Sequence, residues 1–435
     1  MPRDSTRQLF DAMSDKFEPR VTRICQILHQ ASQRTKILTH LRWDGSVRDR
    51  FLADRASELP VVSYPDYDVD PVLELVDEAR RLMQTSNIDD WLERQARAIE
   101  ISAKMLEACG TTDFFVCSSE LYGAPGDLLL DRSSTSLTLA SDFGDILRQL
   151  DGFNAELLEQ QCVSSAELSE RLAVAVSDMF GADAPEVQLV DELSANALAG
   201  RERIRIRRAA EFNDKDVAQL IHHEAGIHVA TSLNGLFQTS LPILGSSHAG
   251  TTRTQEGLAV FAEFITGSMD LDRLRRLSDR TIAIQMAVDG ADFIEVYEFF
   301  VERIHSEEQA FENTRRVFRG GVLTGGAPFT KDIVYLDGLV RVHNFLRALV
   351  ANGRADCMLL LFCGKLDLED IPVLCELVEL GLCKPPRYLP QWASDMRFLL
   401  SYLAYSGFLN TIDQQRVSAH YENLLRSAPL VEMGG

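Results

Sequence analysis

The chain has 435 residues, 46% hydrophobic and 25% charged, which gives an ordinary globular composition with room for roughly two or three domains or one elaborated domain. Its formal net charge of −21, from 44 basic and 65 acidic residues, excludes a nucleic-acid backbone as the main partner and any general attraction to anionic membranes. No run of about 18 apolar residues occurs, so no membrane span is expected.

The first residues, MPRDSTRQLFDAMSDKFEPRV, lack the apolar stretch of a secretory signal. The eight cysteines are scattered and include no C-x-x-C, which fits reduced thiols in a cytoplasmic protein.

Residues 12–110 read as mostly helical, interrupted by LPVVSYPDYDVD, whose two prolines mark an irregular link. The segment DDWLERQARAIEISAKMLEACG has helical apolar spacing and ends in Gly110, a residue suited to a C-cap. Residues 111–185 are mixed, with a turn at YGAPG. Near residue 186 the character changes: PEVQLVDELSANALAG predicts a strand followed by a turn or short helix.

RERIRIRRA then alternates with period two, the pattern of a half-exposed strand. Its outward Arg203, Arg205 and Arg207 would form a solvated face or a substrate-facing edge. EFNDKDVAQLIHHEAGIHVATSLNG predicts a helix capped by Asn213 or Asp214, with Val217, Leu220 and Ile221 opening a buried stripe and Asn234-Gly235 as the stop.

After the loop LPILGSSHAGTTRT, helices are expected at QEGLAVFAEFITG and in the segments through EEQAFENTRRVF. The glycine-rich GGVLTGGAPFTKDIVYLDG leads into a helix containing Leu339, Val342, Phe345 and Leu346. A helical cap with a hinge at KPPRYLP follows. The expected fold class is α+β, predominantly helical, with a helical region at 1–110, a core at 111–350 and a helical region at 351–435.

Three of the nine histidines, His222, His223 and His228, fall within seven residues beside Glu224. Such a cluster in an apolar helix is costly to bury unless hydrogen-bonded or metal-bound. The zinc-protease motif is H-E-x-x-H, but His228 comes one residue late. Residues five apart lie about 140° apart around a regular helix and cannot share an ion. The spacing therefore predicts a π-bulge, eased by Gly226, that brings His223 and His228 together.

Glu224 is placed to act as general base toward water. His222 points elsewhere and is expected to pack behind the ligands or support them. For a third ligand the sequence offers Glu256, whose other reading is a carboxylate favouring a helix N-terminus. His248, in its flexible GSSHAG setting, is the rival. Gly257 leaves room for a close helix approach, and Glu263, seven residues after Glu256, is suited to orient a ligand histidine.

HHEAGIH, TSLNGLFQ and TRTQEGLAVFAEF, together with ELYGAP, IRIRRAAEF, FRGG and GGAPFTKDIVYLDG, resemble the QEGLA-motif (DUF1704) family over about residues 95–350. That family includes the animal tubulin tyrosine carboxypeptidases. The resemblance implies a zincin-like metallopeptidase core with Zn2+ held by His223, His228 and Glu256, and Glu224 as the catalytic glutamate.

The expected reaction is hydrolysis at a peptide or protein C-terminus. The alternatives are a catalytically weak metal-binding regulatory protein and a metal-dependent amidase or endopeptidase. Tyr335 is a candidate oxyanion donor, or else a packed core tyrosine. Arg253, Arg319 and Lys331 are candidates to hold a terminal carboxylate, and Asn234 and Gln238 to bind substrate backbone. Helix-end capping is the other reading for Asn234. An acidic substrate would need a locally basic groove to overcome the field of the whole protein.

Overall fold

A computed structural model describes residues 3–150, 162–191, 193, 196–304 and 306–426. Helices dominate, as the periodicity predicts. They are α1 (Arg3–Arg34), α2 (Gly45–Ala53), α3 (Asp70–Leu82), α4 (Asn87–Glu107), α5 (Thr112–Tyr122), α6 (Ser136–Gln149) and α7 (Ser165–Phe180) in the first part of the chain. The later helices are α8 (Asp214–Leu220), α9 (Ala230–Leu236), α10 (Ala249–Ile265), α11 (Leu271–Val288), α12 (Phe293–Val301), α13 (Glu307–Phe318), α14 (Val334–Ala351), α15 (Ile371–Glu379), α16 (Arg397–Leu409) and α17 (Gln414–Arg426), with single helical turns at Ile37–His40 and Gln391–Ser394.

Two small sheets interrupt the helices. Strand β2 (Glu186–Val190) runs parallel to β4 (Arg203–Arg207), which also pairs antiparallel with β3 (Ala197–Ala199). The sequence predicts the first of these strands and a turn or short helix after it; bends stand at Asp191 and Asn196, and β3 follows, which the sequence did not predict. Alternation in β4 buries Ile204 and Ile206 completely, leaves Arg203 and Arg205 exposed and Arg207 half-buried. β1 (Cys162–Ser164) pairs antiparallel with β5 (Glu211–Asn213), with Cys162 opposite Asn213.

The largest apolar core joins the N-terminal helices to α10, α14 and the end of the chain. Ile24, Ile27 and Leu28 of α1 meet Val72 and Val76 of α3, Trp91 and Ile99 of α4, Leu258 and Phe261 of α10, and Leu346 of α14. Phe362, Leu374 and Leu403 complete it from the last fifth of the chain. A smaller core packs the buried face of β4 against α7 and against Ala225, Val229 and Leu233. Ile227 belongs to the larger core, so the segment carrying the histidines is wedged between the two.

α10 and α14 cross at Gly257 and Gly338. A β-carbon on Gly257 would lie 2.3 Å from the Gly338 carbonyl, so two glycines are needed for the backbones to come this close. Lys331, in the turn that leads into α14, meets Glu256 beside this crossing. No helix among the described residues is long and apolar enough to cross a membrane.

Candidate metal centre

Asn213 caps α8: its side chain accepts from the Asp216 amide while the Asp216 carboxylate accepts from the Asn213 amide. The helix then changes hydrogen-bonding pattern. Ile221–Val229 is a π-helix of nine residues, longer than the single bulge the histidine spacing predicts, before α-helical bonding resumes in α9. Bonding to the fifth residue back widens each turn, as in the Ala230 amide bonding the Ala225 carbonyl. Residues five apart then stack, and the His223 and His228 rings stand 4.9 Å apart between centroids.

Side chains reinforce the distorted turn from outside its ladder. Thr231 donates to the Ile227 carbonyl at 2.7 Å and Ser232 to the His228 carbonyl at 2.6 Å. Lys365, buried in the segment before α15, donates to the same His228 carbonyl at 3.0 Å and to Gln255 at 3.1 Å. Burial pushes the Lys365 ammonium down to about 8, against the opposing pull of Glu256 and Glu224.

Glu256, on α10, meets both rings. Its Oε2 lies 3.6 Å from His223 Nε2 and 3.4 Å from His228 Nε2. One donor atom from each of the three residues fits within a 4.8 Å span. Bonds of about 2.0–2.1 Å arranged tetrahedrally put neighbouring ligand atoms about 3.3 Å apart, so the two histidine–glutamate separations suit a zinc-sized ion. His223, His228 and Glu256 could thus hold a metal ion. Glu224 stands beside them, with Oε1 3.9 Å from His223 Nε2.

The site's polar support is continuous. Glu263, fully buried two turns along the same helical face from Glu256, bonds His223 Nδ1 at 2.6 Å. The Arg273 guanidinium grips Glu263 with two bonds of 2.9 Å. This leaves Nε2 of His223 directed at the metal position, the arrangement by which a carboxylate fixes the tautomer and orientation of a ligand. Burial resists charge on His223, but Glu256 and Glu263 outweigh it and raise the ring to about 10. On His228 burial prevails over Glu256 and lowers the ring's value. Burial also resists ionisation of Glu256, yet Lys331 and the two imidazoles hold its carboxyl well below the usual range.

The chain matches the family described as microtubule-associated tyrosine carboxypeptidase over residues 49–411. It belongs to that family. No curated protein matches the chain. The matched span extends on both sides of the 95–350 region carrying the recognisable motifs, and it takes in Lys365 and the helices that pack behind it. Membership in a carboxypeptidase family supports a peptidase acting on protein or peptide substrates.

The other candidate residues of this family member divide sharply by position. His222 is half-buried and outside the ligand group, and burial lowers its value. His248 caps the start of α10, with both ring nitrogens buried and without a hydrogen-bond partner among the described residues, and is likewise outside the group. Lys331 reaches the site, bonding Glu256 Oε1 at 3.1 Å. Tyr335 lies beneath it, with its ring centroid 4.9 Å from the ammonium. The Tyr335 hydroxyl accepts from Arg316 at 3.3 Å.

Arg253 is engaged elsewhere. It donates to the Tyr122 carbonyl at 2.7 Å and pairs with Asp337 at 3.0 Å. Asn234 and Gln238 are each 1% exposed. Asn234 donates to the Phe362 and Tyr388 carbonyls and accepts from the Arg387 and Tyr388 amides. Gln238 donates to the Cys363 and Lys384 carbonyls and accepts from the Lys384 amide. These two amides fasten the KPPRYLP segment to α9, and their polar atoms are committed to the protein's own backbone. Arg319 forms no side-chain hydrogen bond or ion pair among the described residues, and its guanidinium lies 5.7 Å from the Phe329 ring centroid.

Lys365, Arg273, Arg280 and Arg316 were not singled out by the sequence. Each lies tens of residues or more from the H-E pair along the chain, and no spacing rule marks any of them.

Proposed function

We propose that this chain is a zinc metallopeptidase with a zincin-like core, and a carboxypeptidase that removes residues from the C-terminus of a peptide or protein. The observation carrying this reading is the convergence of His223, His228 and Glu256 on one point beside the Glu224 carboxylate. When bound there, zinc would supply a Lewis acid that polarises the scissile carbonyl and lowers the pKa of water.

Glu224 takes the proton of the attacking water and delivers it to the departing amine, the paired base and acid roles of a glutamate in this position. His223 stays fixed by Glu263, while Arg273 keeps Glu263 ionised: burial opposes ionisation of that carboxyl, but Arg273 and then His223 hold it at about 2. Lys331 neutralises Glu256 from the side away from the imidazoles. Tyr335, on the first turn of α14, is the proposed hydroxyl donor toward the developing oxyanion.

The decisive measurement is mass spectrometry on a peptide library incubated with the zinc-loaded chain and with Glu224→Gln. Loss of single C-terminal residues by the parent alone is the expected result. Equal hydrolysis by both proteins would remove Glu224 from the mechanism, and internal cuts would replace the carboxypeptidase reading with an endopeptidase.

A further inference from the structure

Tyr335 is surrounded by positive charge. Lys331 lies 4.9 Å from the ring centroid, and the guanidiniums of Arg280, Arg273 and Arg316 lie at 5.7, 5.9 and 6.0 Å. The Arg319 charge is close enough to couple with Tyr335 and Asp332. In a chain of net charge −21 this is a local reversal of sign.

Among the described residues, three carboxylates pair with these five cations. Glu263 takes the fork of Arg273, Glu256 takes Lys331, and Asp332 takes the fork of Arg316 at 2.6 and 3.0 Å. Arg280 approaches Asp332 only to 3.8 Å, and that carboxylate is already held by Arg316. Arg319 has no carboxylate partner among the described residues. The Nε atoms of Arg280 and Arg319 are both buried without a hydrogen-bond acceptor.

Cations withdrawn from water without counter-charges are costly and call for an anion. Burial, with Arg316 alongside, pushes Arg280 down to about 9 and Arg319 down to about 10, the same imbalance expressed as proton affinity. Access is not closed: Arg280 keeps 13% and Arg316 23% of the side-chain surface open. Lys331 links this cluster to the metal site, because one ammonium touches Glu256 and also covers Tyr335.

We infer that Arg280 and Arg319 form the clamp for the terminal carboxylate of the substrate, an assignment resting on the carboxypeptidase reading. The planar fork of arginine matches a carboxylate with two parallel bonds, and two such forks would balance the excess charge. The sequence offered Arg319 together with Arg253 and Lys331. The structure engages the latter two with Asp337 and Glu256 and adds Arg280, which approaches from α11. A carboxylate could also come from an acidic side chain within the substrate, and the two sources separate experimentally.

The probes are fluorescent degenerate tetrapeptides ending in a free carboxylate, the same peptides ending in a carboxamide, and both sets with or without an acidic penultimate residue. Binding is read by anisotropy on zinc-loaded Glu224→Gln, so it needs no turnover. The expected result is a preference for the free carboxylate of at least about 10-fold, as for hydrogen bonds to charged groups. Adding Arg280→Gln and Arg319→Gln should abolish the preference and leave carboxamide binding as it was.

Arg280→Lys and Arg319→Lys keep the charge without the fork and should lose part of the preference. They also keep the idea testable should the glutamine variants unfold. Equal binding of acid and amide, a preference that survives both substitutions, or one that follows only the penultimate side chain would overturn the clamp. Hydrolysis of acid and amide peptides at equal rates would remove the clamp and leave the peptidase reading standing. Carboxylate-selective binding without hydrolysis by the Glu224 parent would do the reverse.

Discussion

Gly257 and Gly338 touch backbone to backbone, with no room for a β-carbon on either: one on Gly338 would lie 2.4 Å from the Arg253 carbonyl oxygen. Glu256 immediately precedes one of these glycines, and Tyr335 lies one turn before the other. The crossing therefore sets how the Glu256 carboxylate meets Lys331. Gly257→Ala should force α10 and α14 apart, costing about 1–3 kcal/mol as an overpacked contact. The check is a denaturation midpoint with a parallel zinc titration, in which affinity should fall as well. A midpoint and an affinity both unchanged would mean that the crossing does not position Glu256.

Glu263 holds the His223 ring and neutralises a buried arginine. Glu263→Gln keeps an acceptor for His223 but withdraws the charge that pairs with Arg273. Zinc affinity should drop by about 10–100-fold, the usual effect of losing a partner behind a ligand histidine. Competition with a chromophoric chelator measures it. Glu263→Ala, which leaves the Arg273 charge without a carboxylate, should also destabilise the fold by about 3–5 kcal/mol.

His223 gives the site a pH signature. In the folded, metal-free protein its value is raised to about 10, against about 6.5 for an unperturbed histidine. A raised folded value means that the protonated ring stabilises the fold. The contribution is complete below about pH 6.5 and is lost as pH climbs through 10. Zinc needs the neutral ring, so binding within this window releases a proton. Calorimetry at about pH 7.5 in two buffers of different ionisation heat should show about one proton released per zinc from this group; heats independent of buffer would contradict it.

Asn234→Ala separates a structural role from a substrate-binding one. The change strands four backbone groups around residues 362, 387 and 388 and should cost about 2–4 kcal/mol, by the cost of unmade buried hydrogen bonds. Thermal melts report that loss. On the protein that remains folded, KM for peptide should be unchanged, whereas a rise in KM without loss of stability would return Asn234 to the substrate.

Much of the centre was readable because its chemistry is local. The one-residue surplus between His223 and His228 can be accommodated only by a wider helical turn, and the π-helix supplies that turn over nine residues. Glu256 and Glu263 fall on one face of one helix, so period alone aligned them. The alternation in RIRIR likewise showed which side of β4 is buried.

What escaped was long-range. Lys365 meets the His228 carbonyl 137 residues away, and GKLDLED has no feature that foretells it. Asn234 and Gln238 looked available to substrate because their partners are backbone atoms more than 120 residues downstream. Arg280 and Arg316 sit in ordinary amphipathic helices, where a charged residue reads as solvent-facing. Only the packing of α11 and α13 beside α14 gathers them around one tyrosine.

The contact of Lys365 with the His228 carbonyl, and of the segment after Lys384 with Asn234 and Gln238, has a consequence for biosynthesis. A nascent chain can present the H-E pair and Glu256 when barely three-fifths complete, but the lysine behind His228 and the strap held by Asn234 and Gln238 have not yet been made. The centre should therefore mature late, after residue 388 has left the ribosome. Until then a growing chain would hold His223, His228 and Glu256 without their finished support.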